Sequence, residues 1–177
     1  IFWSLPITVL FIVLRAQIVR VILGSGQFTW TDTRLTAAAL ALFSVSVVFQ
    51  GLTLLFVRGY YSAGETRKPL IAALLSGGVV TAGAVVFLAV FRSASLVRFF
   101  FEALLRVKEI EGTGVLVLPL AFSLGMTVNA ILLWAMFVRD FRSHTVALVR
   151  TFGQSFAAAV LGGAVAWLAL RVLDDIV

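Results

Sequence analysis

Long apolar runs, separated by short polar connections, dominate the chain. Four of them carry no charge and are long enough for the roughly 20 residues that a membrane-spanning helix needs: Leu35–Val57, Leu70–Phe91, Gly112–Val138 and Thr151–Leu170. A fifth run, residues 1–23, continues through Arg15 and Arg20, whose long side chains can reach the membrane surface. A backbone in lipid must satisfy its own hydrogen bonds, so each run is predicted to be helical.

We therefore predict an all-α, polytopic transmembrane helix bundle that forms part of one domain over residues 1–177. Its spans, about five in number, are predicted at residues 1–23, 35–57, 70–91, 112–138 and 147–171, each near the length that a bilayer requires. Between the third and fourth spans, Leu96–Ile110 has four charged residues at helical spacing on an otherwise apolar segment. That pattern predicts an interfacial amphipathic helix at about residues 96–110, with a solvated helix packed on the bundle as the alternative.

The connections carry signals of their own. Gly24–Phe28 breaks the first helix, and Thr29 with Asp32 resembles a capping box that opens the next one. The polar turn Arg58–Pro69 contains two tyrosines suited to the membrane interface, and its proline can start a helix. A second basic turn covers Arg139–His144.

Composition narrows the function classes. Hydrophobic residues make up 62% of the 177 positions, which is more apolar surface than a soluble fold of this size can bury. The absence of cysteine and a single histidine exclude thiolate and histidine-based metal sites. The net charge of +6 is spread between apolar runs, which favours membrane lipids as neighbours and argues against nucleic acid. The chain begins inside an apolar run without methionine, so we expect a fragment whose N-terminal partner sequence is absent.

Two motifs in order resemble the lipid II flippases of the MurJ/MviN family. The first is the turn that ends the first helix, with Gly26, Phe28 and Thr29. The second follows about thirty residues later and includes Arg58, Gly59, Tyr60, Tyr61, Thr66 and Pro69. A weaker match runs from Gly114 through Leu118–Leu124 to Asn129, and the resemblance extends over nearly the whole chain.

This resemblance implies a fourteen-helix exporter with two six-helix lobes, of which the chain would supply the ninth to thirteenth helices. It implies a multi-pass protein of the bacterial inner membrane that moves a lipid-linked oligosaccharide by alternating access, together with a missing N-terminal lobe. The Arg58–Pro69 and Arg139–His144 turns would be cytoplasmic, although basic-residue counts alone do not decide the orientation. The 96–110 helix looks like an insertion, and the family's substrate-contacting arginines lie in helices that this chain lacks.

No catalytic constellation is present in the sequence, so we predict that the chain is not an enzyme and needs no cofactor; the sequence assigns no coupling ion. The alternatives are a related polysaccharide-lipid or drug exporter, or a non-transporting membrane scaffold for cell-envelope enzymes. The residues lining the missing lobe would discriminate between these classes, because a transporter needs charged groups inside its cavity.

Polar residues within the spans are the candidate functional positions. They either bond neighbouring helices or line a translocation path, and they are Ser46, Gln50, Thr53, Ser123, Thr127 and Asn129. Small residues at every fourth position predict faces of close helix contact: Ala73, Gly77 and Thr81; Ala158, Gly162 and Ala166; and Ser155, Ala159 and Gly163.

Overall fold

The chain folds into a bundle of helices in the computed structural model, which describes residues 3–24, 29–93, 113–141 and 146–176. The described elements are α1 (Ser4–Val13), α2 (Arg15–Leu23), α3 (Trp30–Ser62), α4 (Arg67–Ser93), a short 3-10 helix (Thr113–Leu116), α5 (Val117–Phe141) and α6 (Val146–Ile176). Within these ranges, four helices are long and apolar enough to cross a membrane, or five if α1 and α2 together count as one span. The prediction of an all-α polytopic bundle is therefore confirmed.

The first predicted span is not one straight helix. It breaks at Leu14, where α1 and α2 meet at an angle of 76°. No glycine or proline stands at the break, so the residues around Leu14 carry no local signal for it. Two arginines within nine residues make α2 a poor second half of a membrane span. The bend brings α2 against α3, where the guanidinium of Arg20 lies 5.0 Å from the ring centre of Trp30.

α3 is the longest described helix, with 33 residues. At 1.5 Å per residue it is about 50 Å long, which exceeds the roughly 30 Å hydrocarbon core of a bilayer. Its start shows the predicted capping box: the Thr29 hydroxyl accepts from the Asp32 amide, and the Asp32 carboxylate accepts from the Thr29 amide at 2.9 Å. Two of the free amides in the first turn of α3 are therefore satisfied without help from other helices.

Helix α5 packs along its length against both α3 and α4, and we call these three helices the triplet. α3 and α5 run in the same direction, because Leu42 pairs with Ser123 near one end and Tyr60 with Asp140 near the other. α4 runs in the opposite direction to α5. The two helices come closest at Gly125 of α5. A Cβ added there would collide with Val80 of α4 and lie 3.2 Å from the Ser76 carbonyl oxygen.

Helices α1 and α6 form a second packed group, which we call the pair. Leu5 of α1 packs with Ala159 of α6, and both Val9 and Val13 approach Gly163. The residue numbers rise together, so the two helices run in the same direction. The pair joins the triplet mainly through α1, which lies against α3.

Of the faces predicted to make close helix contacts through small residues, one is confirmed and two are not. The face with Ser155, Ala159 and Gly163 does pack against α1, as expected. Gly77 and Gly162, in contrast, have no atom of the described residues within 4 Å of the position where a Cβ would stand, so the close contacts predicted there are wrong for the described part of the bundle. An apolar helix carries small residues on several faces, and spacing alone does not say which face meets a neighbour.

Two predicted features lie outside the described residues. They are the interfacial helix predicted at residues 96–110, with its charged stripe, and the part of the Arg139–His144 turn beyond Phe141.

Candidate functional site

One end of the triplet is joined by a buried tyrosine and a carboxylate. The Tyr60 hydroxyl donates a 2.9 Å hydrogen bond to Oδ2 of Asp140, and Nζ of Lys68 donates to the same oxygen at 2.8 Å. Tyr60 is 0% exposed, and its ring packs edge-on against Phe137 with the ring centres 5.6 Å apart. The end of α3, the start of α4 and the end of α5 therefore meet at one corner, which we call the Tyr60 corner.

The loop that resembles the MurJ/MviN family builds this corner. Gly59 lets α3 approach α5, because a Cβ there would lie 2.8 Å from Cε2 of Phe137. Gly64 turns the chain with a φ of 75°, a conformation that L side chains rarely adopt. Pro69 is buried in the first turn of α4, where a missing amide hydrogen costs nothing.

The remaining residues of the two family-like motifs lie apart from this contact. Arg58, Tyr61 and Thr66 are exposed, and Tyr61 makes none of the buried contacts of its neighbour. In the first motif, Thr29 caps α3 at the opposite end of the triplet. Gly26 and Phe28 lie outside the described residues.

The polar candidates of α5 serve mostly as helix contacts. Oγ of Ser123 donates a 2.6 Å hydrogen bond to the carbonyl oxygen of Leu42, which ties α5 to α3. Thr127 donates to the Ser123 carbonyl oxygen of its own helix at 2.7 Å. Asn129 is buried, and its Oδ1 has no hydrogen-bond partner in the described part of the chain.

The polar candidates of α3 differ in burial. Ser46 is buried and donates to the Phe43 carbonyl oxygen at 2.7 Å. Gln50 is exposed, with Nε2 donating to Oγ of Ser46 at 3.0 Å. Oγ1 of Thr53 is buried without a hydrogen-bond partner among the described residues. The structure thus places the three on one stretch of α3, with Ser46 one turn after Leu42, whose carbonyl oxygen accepts the bond from Ser123.

Gln50 and Thr53 line an open pocket of about 510 Å³ between α1 and α3. Its other lining residues are Ser4, Val47, Gly51, Leu54 and Val57. No charged side chain is among them, so the pocket can offer hydrogen bonds but no ion pair. Across the described residues, no three acidic or histidine side chains come together as a possible metal site.

Sequence reasoning missed three residues of these sites. Asp140 was assigned only to a basic turn, and Lys68 only to the family-like loop. Both turns were predicted on the same side of the membrane, so the opposite charges of these two residues were a signal for the ion pair that the structure shows. Ser4 was counted as part of an apolar run, since a single serine at a helix start gives no signal of a pocket.

Comparison with known proteins adds a family. The family model described as "Lipid II flippase MurJ" matches residues 1–175. A probable lipid II flippase MurJ of Thermotoga maritima is 30% identical over 78 residues, which cover 44% of this chain and 16% of that protein. One of Bdellovibrio bacteriovorus is 33% identical over 64 residues, or 36% of this chain and 12% of that protein. The aligned parts are thus a small share of these relatives, and no solved structure matches the chain.

Proposed function

This chain belongs to the lipid II flippase MurJ family, and from that membership we propose that it is part of a transporter that moves lipid II across the inner membrane. The observation that carries the proposal is the family match, which extends over residues 1–175. The protein is a multi-pass inner-membrane protein, with several helices apolar enough to span the bilayer. Its family is one of transporters, so we infer that the chain acts without making or breaking a bond.

Alternating access is the mechanism that we propose. In this mechanism two helix bundles move against each other around a central site, and the site opens to one side of the membrane at a time. The triplet supports such a role, because the Tyr60 corner and the Ser123 to Leu42 bond hold its helices together at two levels. This chain would supply part of one bundle, and the missing N-terminal lobe would supply the other.

The polar residues divide between two roles in this proposal. Ser123 and Thr127 bond backbone carbonyls within the triplet and would serve packing. Gln50 and Thr53 line an open pocket and are the best candidates in this chain for a translocation path. None of the candidate residues is charged, so the groups that hold a pyrophosphate would have to come from other parts of the protein.

Complementation tests the proposal directly. The full-length protein and these 177 residues alone are expressed in cells depleted of their own lipid II flippase, and growth is followed together with the amount of each protein in the membrane. We expect the full-length protein to restore growth, and the 177-residue chain to insert without restoring it, since alternating access needs two bundles.

Two outcomes would contradict the proposal in different ways. Failure of a well-expressed full-length protein would refute lipid II transport and favour a scaffold or another exporter. Growth restored by the 177-residue chain alone would refute the division into two bundles and indicate an assembly of identical subunits.

A further inference from the structure

Helix α2 turns sideways out of the direction of α1. The two axes meet at 76°. The nine residues of α2 therefore advance about 3 Å along the axis of α1, where a straight continuation would advance about 14 Å. Because α1 packs along α3, which is long and apolar enough to cross the membrane, α2 runs closer to the membrane plane than to its normal.

The contacts with α3 give the depth of α2 in the membrane. Leu5 of α1 packs with Val48 of α3. Further along the chain, Arg20 of α2 lies against Trp30 of α3, so the two segments run antiparallel. Leu14, where the chain bends, is nine residues beyond Leu5 and therefore about 14 Å further along α3. That level lies about 6 Å inside the uncharged run of α3, within the depth of about 5–10 Å at which interfacial helices lie.

The two sides of α2 differ in polarity. Gln17 and Arg20 are three residues apart and share one side of the helix, and both are exposed. Ile18 and Ile22 are four residues apart and share the opposite side, because two residues turn a helix by about 200°. Val19 points into the bundle and is 4% exposed, whereas Ile22 is 70% exposed. A short helix with one polar and one apolar side suits the boundary between headgroups and acyl chains.

The contact between Arg20 and Trp30 shows which side of α2 faces outward. Trp30 lies five residues before the uncharged run of α3, about 8 Å outside it and hence at the level of the headgroups. Tryptophan is enriched at that level, and the phosphates there attract arginine. The guanidinium of Arg20 lies 5.0 Å from the ring centre of Trp30, so the polar side of α2 is turned towards the headgroups. The side with Ile22 is therefore turned towards the acyl chains.

We propose that α2 is an interfacial helix whose partner is the lipid bilayer, at the membrane surface opposite the Tyr60 corner. Ile18 and Ile22 contact acyl chains, and Gln17 and Arg20 face the headgroups. The part of the first apolar run that lies inside the hydrocarbon core then ends at the break, and the remainder anchors this end of the bundle at one depth. The placement does not depend on which substrate the protein moves.

Spin labelling tests the placement. A cysteine-free version of the full-length protein in nanodiscs of phosphatidylethanolamine and phosphatidylglycerol carries a nitroxide on Gln17→Cys or on Ile22→Cys. Collisions of the label with oxygen, which concentrates among acyl chains, and with a water-soluble nickel complex are measured. Ser62→Cys, exposed at the end of α3, is the water reference. We expect position 17 to resemble position 62, and position 22 to collide several-fold less with nickel and more with oxygen.

Three other results would overturn the proposal, each for a different reason. Labels at both positions that meet oxygen and not nickel would mean that α2 crosses the hydrocarbon core as the second half of a bent span. Labels that both meet nickel would place α2 in water. A label at position 22 that meets neither reagent would show that another helix of the full-length protein covers this side of α2. Growth complementation reports separately on lipid II transport, so either proposal can fail without the other.

Discussion

Tyr60 and Asp140 lie 80 residues apart in the chain, and a 2.9 Å hydrogen bond joins the hydroxyl of the first to the carboxylate of the second. Lys68 donates to the same carboxylate oxygen, but the side chains of this ion pair are 33% and 27% exposed, and such pairs contribute little to stability. The buried tyrosine therefore matters more than the ion pair. Its ring and hydroxyl together fix the short α3–α4 turn onto the end of α5.

We expect Tyr60→Phe to destabilise the protein while leaving the fold intact. The substitution keeps the ring that packs on Phe137 but removes the hydrogen bond to Asp140. A lost intramolecular hydrogen bond of this kind lowers the free energy of unfolding by about 1 kcal/mol. The measurement is denaturant or thermal unfolding of the purified full-length protein in detergent.

The adjacent tyrosine provides the control for that experiment. Tyr61 is 57% exposed, and Tyr61→Phe should leave the free energy of unfolding nearly unchanged. Equal losses in the two variants would mean that the Tyr60 hydroxyl has no special role, and the Tyr60 corner would then depend on packing alone.

Replacing either of two neighbouring glycines of α6 by leucine should affect stability differently. A side chain at Gly163 would collide with Val9 of α1, whereas no described residue lies within 4 Å of a Cβ on Gly162. Overpacking a close contact costs about 1–3 kcal/mol, so Gly163→Leu should lower stability and Gly162→Leu should not. Unfolding of the two variants in detergent measures the difference. A larger loss for Gly162→Leu would show that another helix covers that face of α6 in the full-length protein.

Ser123→Ala should weaken the contact between α3 and α5. The variant loses the 2.6 Å bond to the Leu42 carbonyl oxygen, while Thr127→Val loses only a bond within α5. Hydrogen bonds between membrane helices average about 0.6 kcal/mol, and we expect a loss near that size for Ser123→Ala in the same unfolding assay. If Thr127→Val costs as much, the bond between helices is no more important than the one within a helix.

The ends of α3 should label from opposite sides of the membrane. Thr31 and Ser62 are both exposed and lie at the two ends of this unbroken helix. In a cysteine-free background, an impermeant thiol reagent added outside should reach only one of Thr31→Cys and Ser62→Cys in intact cells. Reaction of both from one side would contradict the assignment of α3 as a membrane span.

Much of this architecture follows from local sequence signals. Apolar runs of bilayer length predict α3, α4, α5 and α6, and the Thr29 and Asp32 pair predicts the capped start of α3, since each signal acts within one helix. The break at Leu14 could not be predicted, because it accompanies packing of α2 on α3, where Arg20 lies over the ring of Trp30. No residue at the break itself restricts the backbone.

The candidate site could be predicted only in part, because it depends on contacts between helices that local sequence signals do not show. Ser46, Gln50 and Thr53 share one stretch of α3 in the sequence and in the structure, but the open pocket depends on where α1 lies. The pairing of Tyr60 with Asp140 likewise depends on which helices are neighbours. Which of the candidate polar residues serve transport stays a prediction.

The unbroken length of α3 has a mechanical consequence. The Tyr60 corner anchors one end of this helix, and Trp30 at its other end is about 45 Å away at 1.5 Å per residue. Because Ser123 also ties α3 to α5, the helix can tilt only together with the triplet. A tilt of the triplet by about 10° around the Tyr60 corner would displace the far end of α3 by roughly 8 Å, given the helical rise. A small rotation at one surface of the membrane would therefore become a movement at the opposite surface large enough to admit or exclude a sugar ring.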